Sequence, residues 1–505
     1  MLDSKANPAG SRPRAHAIVI GSGFGGLAAA VRLGARGYRV TVLEQLDAPG
    51  GRAYVFRQDG FIFDAGPTII TAPFLLEDLW RLCDRRLQDD VELRPVQPFY
   101  RIRFHNGEQL ECSNDDRAMT EQIERFAPAD VAGYRRFLEA SEAIYNVAFE
   151  QLAHAPFDSF ADMLRFVPGI LRLRGYRSVY GLVSSFVKDA RLRFALSFHP
   201  LFVGGNPFHT TSIYGLIAFL ERRFGVHCVI GGTGRLIEGL ADLIAGQGNQ
   251  IRFNSRVAEI TTIGRRATGI RLSSGEQIPA DIVVSNADSA STYRDLVPVH
   301  LRRRWTDRRL ARADYSMSLF VWYFGTARRY PQVPHHTILV GPRYRELLED
   351  IFERKVLAED FSLYLHRPTA SDSSLAPPGC DAFYVLSPVP HLQGDTDWDE
   401  RAESYRRAIA LHLGRTVLPE FEEYVISSRV MTPLDFRDRL LSQHGAAFGF
   451  APTLTQSAWF RPHNRSEDVE GLYLVGAGTH PGAGVPGVLS SARVLDRVVP
   501  DARPV

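Results

Sequence analysis

Cysteine is scarce in this chain of 505 residues, and the four present (Cys83, Cys112, Cys228 and Cys380) stand far apart with no CxxC pair. Such spacing excludes a cysteine-built zinc site and a disulfide framework and suits a reducing cytoplasm; no metal is expected. Long apolar runs are missing too: there is no stretch of about 18 uncharged apolar residues, so no spanning helix is expected. Charge is nearly balanced. The formal net charge of +2 gives no reason to expect nucleic acid as a partner, and any electrostatic role has to come from local clusters. Internal repeats are absent. The first fifteen residues hold Asp3, Lys5, Pro8, Gly10 and Pro13 without an apolar core, which reads as a flexible tail and not a signal peptide. What remains, 45% hydrophobic and 23% charged, is the composition of an ordinary globular enzyme, long enough for two domains or one discontinuous domain.

Glycine, by contrast, is clustered. From His16 to Glu44 the chain reads HAIVIGSGFGGLAAAVRLGARGYRVTVLE. Residues 17–20 are a short β-branched apolar run, expected as a buried parallel strand; residues 27–33 are expected as a helix and 38–43 as a second strand. Gly21 permits the tight turn, Gly23 lets backbone approach a pyrophosphate, and Gly26 lets helix pack closely on strand. The helix N-terminus offers free N–H groups and about half a positive charge to phosphates. Glu44 follows Gly26 at close to the ~20 residues expected of a carboxylate that grips a ribose 2′-hydroxyl, and it disfavours an NADP-type ligand. This is a dinucleotide fingerprint with each part in place.

Two further glycine clusters resemble the amine-oxidase-like flavoproteins. One is Ala48-Pro49-Gly50-Gly51-Arg52, followed by Phe63-Asp64-Ala65-Gly66-Pro67; the other runs from Gly471 through Gly476, Gly478, Val485 and Pro486 to Gly487. The resemblance implies FAD, with Gly51 and Arg52 along its pyrophosphate and Gly66 and Pro67 bordering the flavin ring. The C-terminal turn, with Gly478, Val485 and Pro486, presents a second helix N-terminus to the ring edge. A third glycine turn, Gly231–Gly234, also joins a strand to a helix, but the strand beyond it, 250–253, leads to Asn254-Ser255-Arg256 without a terminal acid. A second nucleotide is therefore not expected. In the superfamily this turn opens the return to the FAD domain, and the following strand lays backbone, here near Val257, against the adenine.

Elsewhere, residues 68–93 pattern as helix, 93–112 as a hairpin turning at Asn106-Gly107, and 130–150 as helix. Residues 157–224 are mostly helical and aromatic. Within them 163–188 carry Arg165, Arg172, Arg174, Arg177 and Lys188 and no acid, a pattern suited to an anionic membrane surface. The basic cluster 302–312 is expected as a solvated helix face, and 315–325 as an aromatic strand.

Longer stretches resemble one family, the bacterial-type phytoene desaturases. They are FDAGPTII (63–70), LSFHPLFVGGNPF (196–208), VSNAD (284–288), SLFVWYFG (318–325), FSLYLHRP (361–368), LSPVPHL (386–392), TQSAWFRPHN (455–464) and LVGAGTHPGAGVPG (474–487). The resemblance spans residues 17–492. It implies an α/β fold: a Rossmann-type FAD-binding domain from discontinuous segments (14–70, 228–290 and 464–505), a mixed-sheet substrate domain (71–130 and 291–463), and a helical membrane-associated region (131–227). It implies stepwise desaturation of phytoene and partly desaturated carotenoids, giving neurosporene or lycopene, at a peripheral site on the inner membrane facing the cytoplasm. In the family's motif matched by residues 156–165, Asp162 and Arg165 are the implied acid–base pair. A helix ion pair is the alternative role for the two. Phe320, Trp322 and Phe324 are either cation-stabilising faces or ordinary strand core. Lacking a second nucleotide site, the chain is expected to pass electrons to a lipid quinone or dioxygen and not to NAD(P)⁺. A later-step carotenoid desaturase, another amine-oxidase-like enzyme and a flavin-free relative of the GDP-dissociation inhibitors are the competing functions.

Overall fold

The structure, a computed structural model, describes residues 14–502 except Asp158; the side chains of Phe160, Asp162 and Arg165 also lie outside the described set. At its centre is a five-stranded parallel sheet in the order Leu472–Leu474, Ile282–Ser285, His16–Ile20, Arg39–Leu43, Gln250–Arg252. The first strand is buried throughout, as both faces of a parallel sheet must be. Its side chains alternate: Ala17 and Val19 join the core beneath the helices, Ile18 and Ile20 the core on the other face. Helices Phe24–Ala35, Thr233–Gly246, Val485–Val498 and Pro73–Arg81 pack together on the first face. The antiparallel strands Val257–Ile263, Arg266–Leu272 and Gln277–Pro279 cover the second.

The first helix starts at Phe24, three residues before the apolar pattern suggests, because the turn is so tight that helical backbone begins inside the glycine motif. The expected hairpin 93–112 is split. Tyr100–Phe104 and Gln109–Cys112 do pair around Gly107, whereas Leu93–Pro95 pairs with His227–Val229. That second pairing takes His227–Val229 out of the parallel sheet, so the Gly231–Gly234 turn belongs to no βαβ unit.

A seven-stranded mixed sheet forms the other half, in the order Val425–Met431, Ser318–Thr326, Asp381–Val389, Leu363–His366, His336–Val340, Tyr100–Phe104, Gln109–Cys112. Its strand Ser318–Thr326 is buried along its whole length. Phe320, Trp322 and Phe324 point to the face covered by the helix Trp398–Thr416, and Leu319, Val321 and Tyr323 to the opposite face. The three aromatics are thus strand core. Residues 302–312 also differ from expectation. Only Asp307–Arg312 is helical, Trp305 is buried beneath the Arg309 guanidinium at 4.1 Å, and the Arg303, Arg304 and Trp305 N–H groups donate to Asp468. Of the arginines in this cluster, Arg303, Arg308 and Arg312 are exposed as a solvated face requires. Among the described residues no helix is long and apolar enough to cross a membrane.

Candidate active site

One cavity of about 1520 Å³ runs from the parallel sheet to the mixed sheet. That exceeds the ~300–1,000 Å³ of a single-ligand pocket and leaves room for a large cofactor with a second molecule beside it. Its first end is made of glycine turns. Gly21, Gly23, Gly51, Gly66 and Gly478 line it, with Glu44, Arg52, Pro67, Val257, Val485 and Pro486. Gly26 does not reach the cavity. A Cβ there would sit 2.0 Å from the Gly21 carbonyl oxygen, so its glycine serves the helix–turn contact. Gly21 needs glycine for another reason, its φ of +87°.

The Phe24–Ala35 helix has no acidic residue in its first turn and no side-chain cap, so its positive end faces the cavity unneutralised. The helix Val485–Val498 opens the same way behind Gly484. Glu44 ties the turn to the second strand: Ser22 N and Oγ donate to its Oε2 at 2.8 and 2.6 Å, and Leu46 N to its Oε1 at 2.9 Å. A carboxylate accepts about four bonds, so one remains for a ribose hydroxyl. Arg52 is held by one bond to Ser442 Oγ at 3.1 Å, and its Nε has no partner, nor has Nη2 of the cavity-lining Arg439. Burial lowers the Arg52 pKa and the nearby Asp288 charge opposes that; burial raises Asp288 in turn. Bare glycine backbone, two open helix ends and buried guanidinium N–H groups without partners fit a dinucleotide with an anionic centre, as FAD has.

Several contributors to this end escaped sequence reasoning. The side chain of Asn286 lies 2.5 to 3.0 Å from where Cβ atoms of Gly23, Gly25 and Gly476 would stand, wedged between the two glycine turns. The VSNAD motif marks the strand end but not which turn its asparagine meets. Arg256, Arg294, Arg437 and Arg439 also line the cavity and carry no local motif.

The second end is apolar. Met163, Phe166, Val167, Ile170 and Leu171 of the helix Phe160–Arg172 line it, with Phe202, Leu319 and Val321. Asp162 and Arg165 share that helix, but their side chains are outside the described residues. Behind the cavity-lining Thr68, Tyr364 and Tyr384 lies a polar network: Thr68 Oγ1 is 2.8 Å from Tyr384 Oη, and Tyr364 Oη 2.6 Å from His336 Nδ1. His336 belongs to a buried trio with His335 and His366, one ring nitrogen of each within 4.8 Å of the others. Burial pushes His335 down to about 3 and the other two well below the usual imidazole range, so all three are neutral. Neutral imidazoles can ligate a metal, but the Arg367 charge beside His335 opposes a cation here. A cysteine count could not have shown this cluster.

The glycine turn at 231–234 is closed. Asp64 accepts from Thr233 N at 2.8 Å and Gly234 N at 3.3 Å, and Asp372 accepts from Gly231 N at 2.6 Å. Protein carboxylates occupy the place a phosphate would take.

Comparison with known proteins agrees with this geometry. The family model described as flavin containing amine oxidoreductase matches residues 24–494. A phytoene desaturase (neurosporene-forming) of Rhodobacter capsulatus is 49% identical over 492 residues, covering 96% of this chain and 94% of the relative. A phytoene desaturase (lycopene-forming) of Pseudescherichia vulneris is 50% identical over 477 residues, covering 94% and 97%. Among solved structures, putrescine oxidase bound to putrescine matches with a TM-score of 0.64 at 14% identity, over 96% of this chain and 99% of that one. An oxidoreductase from Methanosarcina mazei gives 0.64 at 18%, over 95% and 100%. At such identities the structures show a shared fold alone. The chain belongs to the flavin-containing amine oxidoreductase family and, within it, to the phytoene desaturases.

Proposed function

We propose that this protein desaturates phytoene stepwise, with FAD, to neurosporene or lycopene. The observation that carries the proposal is the single cavity whose glycine-built end suits a dinucleotide and whose other end is apolar. FAD, when bound, supplies the hydride acceptor. Gly21, Gly23, Gly51 and Arg52 would hold its pyrophosphate, Glu44 its ribose, backbone at Val257 its adenine. Gly66, Pro67, Gly478, Val485 and Pro486 would border its ring, and Gly26 acts by closing helix onto strand. A hydrocarbon offers no polar handle, so the apolar wall orients it by shape, each buried methylene contributing ~0.8 kcal/mol, and keeps water from the developing cation. Asp162 and Arg165 remain candidate acid–base residues, since Met163, Phe166 and Val167 of their helix line the cavity. We further propose that the chain divides into an FAD-binding domain (14–70, 228–290 and 464–505), a substrate domain (71–130 and 291–463) and a helical membrane-associated region (131–227).

Substrate would arrive from a membrane surface. Leu164, Leu171 and Tyr176 are each more than half exposed, beside the exposed Arg172 and Arg174, and Leu171 and Tyr176 also line the cavity. Apolar side chains in water next to arginines suit a lipid headgroup layer, and two of them also line the cavity, which supports substrate entry from that side. That location supports a lipid quinone or dioxygen as final acceptor. Changing Arg172, Arg174 and Arg177 together to Glu should weaken sedimentation with anionic liposomes, each basic residue contributing ~1 kcal/mol, and leave FAD content unchanged. Unaltered sedimentation would remove the membrane role. The function itself is tested by expressing the chain in a phytoene-accumulating cell: neurosporene or lycopene is expected, and unchanged phytoene alongside flavin-loaded protein would refute the proposal.

A further inference from the structure

Glu221 is a carboxylate that cofactor binding does not account for. It lies on the helix Leu216–Phe224, whose Leu216, Ile217 and Leu220 line the same cavity, and it lines the cavity itself while only 4% exposed. Tyr100 Oη donates to its Oε1 at 2.6 Å, and His199 Nε2 stands 3.2 Å from its Oε2. Among the described residues no lysine or arginine pairs with it, and the nitrogen nearest its Oε2 is that of His199. The other cavity-lining carboxylates have structural duties. Glu44 holds Ser22 and Leu46, Asp288 accepts from Ala290 N and Ser291 N, and Asp295 pairs with Arg294. A buried carboxylate without a full cationic partner is costly, and it is found where chemistry uses it.

We infer that Glu221 is the catalytic proton acceptor of this cavity. The inference rests on the desaturation proposed above and gives its second half an atom. FAD, when bound, would take up a hydride with its electron pair and so leave the substrate as an allylic cation. A C–H bond on the neighbouring carbon then breaks, its electron pair becomes the new π bond, and the proton passes to a Glu221 carboxylate oxygen. One hydride and one proton leave per double bond, and no further reactant is needed. Before the proton moves, the carboxylate charge already stabilises the cation in a medium where water does not screen it. Phe202, which packs on Tyr100 at 5.7 Å between ring centres, adds an aromatic face to the cavity lining. Burial and the Glu221 charge hold the Tyr100 phenol protonated, its pKa well above the ordinary range, so Tyr100 remains a donor that fixes the carboxylate in place.

The test is anaerobic single-turnover desaturation of phytoene in liposomes by FAD-loaded wild type, Glu221→Gln, Glu221→Ala, Glu221→Asp and Asp162→Asn. Glu221→Gln should keep its flavin spectrum and lose about a hundredfold or more in rate, and added formate should restore part of the rate of Glu221→Ala. A Glu221→Gln rate within threefold of wild type overturns the inference. So does an Asp162→Asn loss of a hundredfold alongside a Glu221→Ala rate that formate leaves untouched. If Glu221→Gln fails to hold FAD, Glu221→Asp decides, because it keeps the charge and withdraws it by one methylene. With FAD retained, a rate about tenfold down supports the inference and a wild-type rate overturns it. Wild-type protein that forms no product overturns the desaturation proposal itself, whatever the variants do.

Discussion

Two glycine-rich turns in this molecule carry a strand into a helix, and they end differently. At Gly21–Gly26 the helix begins without an acidic residue or a side-chain cap, and its N–H groups face the large cavity. At Gly231–Gly234 the corresponding N–H groups are taken by Asp64 and Asp372. Glycine makes both turns possible. What separates an anion site from a structural joint is whether the protein supplies its own anion. The carboxylate near the first turn, Glu44, grips the turn from the side and leaves the helix axis open; Asp64 sits on the axis itself.

The comparison breaks most completely at Gly26. Replacing it by Val sets a side chain against the Gly21 carbonyl with nowhere for backbone to go, so a loss of at least ~3 kcal/mol and of all flavin is expected, read by thermal unfolding and by the absorption spectrum. At the closed turn, burial pushes Asp64 up to about 6, against 3.8 in the unfolded chain. A carboxyl raised on folding favours the folded state while protonated, so its contribution is present below about pH 4 and is lost as pH rises through about 6, a swing of ~3 kcal/mol. Asp64→Asn should remove that swing: the unfolding free energy of wild type minus that of the variant, measured from pH 4 to 7, should fall by ~3 kcal/mol as pH rises. Parallel curves would contradict the assignment. Next comes Glu44→Ala, which deletes the turn's grip and the ribose acceptor. FAD should bind ten- to hundredfold more weakly by titration, as expected for a charge-assisted bond of ~1.5–3 kcal/mol. The smallest expected effect is none. NAD⁺ or NADP⁺ as sole oxidant under anaerobic conditions should support no turnover, and sustained product with matching NADH would show that the Asp64 plug gives way to a nucleotide.

The cofactor end was legible in the sequence because it depends on backbone: where a turn needs positive φ or atoms must touch, glycine is the one residue that fits, and it leaves a mark at fixed spacing. Asp64 shows the limit. It stands inside a motif that resembles a flavin border, yet its partners Thr233 and Gly234 come from a helix about 170 residues on, and no local pattern records that. Ser318–Thr326 shows another. Both faces of the strand are apolar, so alternation sorts Phe320, Trp322 and Phe324 from Leu319 and Val321 without saying which set meets the cavity. The helix Trp398–Thr416 settles it by covering the aromatic side. Glu221 was missed for the same reason: an acid one helical turn from apolar residues reads as the solvent edge of a helix until His199 and Tyr100 are seen beside it.

The parallel sheet begins with His16–Ile20 and is finished by Leu472–Leu474, and the helix Val485–Val498 then closes its face. During synthesis at about 5–20 residues per second, tens of seconds separate the first strand from the last. The turn that is to carry the pyrophosphate therefore leaves the ribosome long before its neighbours exist. A chain cut short near residue 470 would keep every residue of the first fingerprint and still lack an edge strand and the second helix end. Cofactor capture thus waits for the last strand and the helix behind it, and until they arrive the nascent sheet carries an open apolar edge.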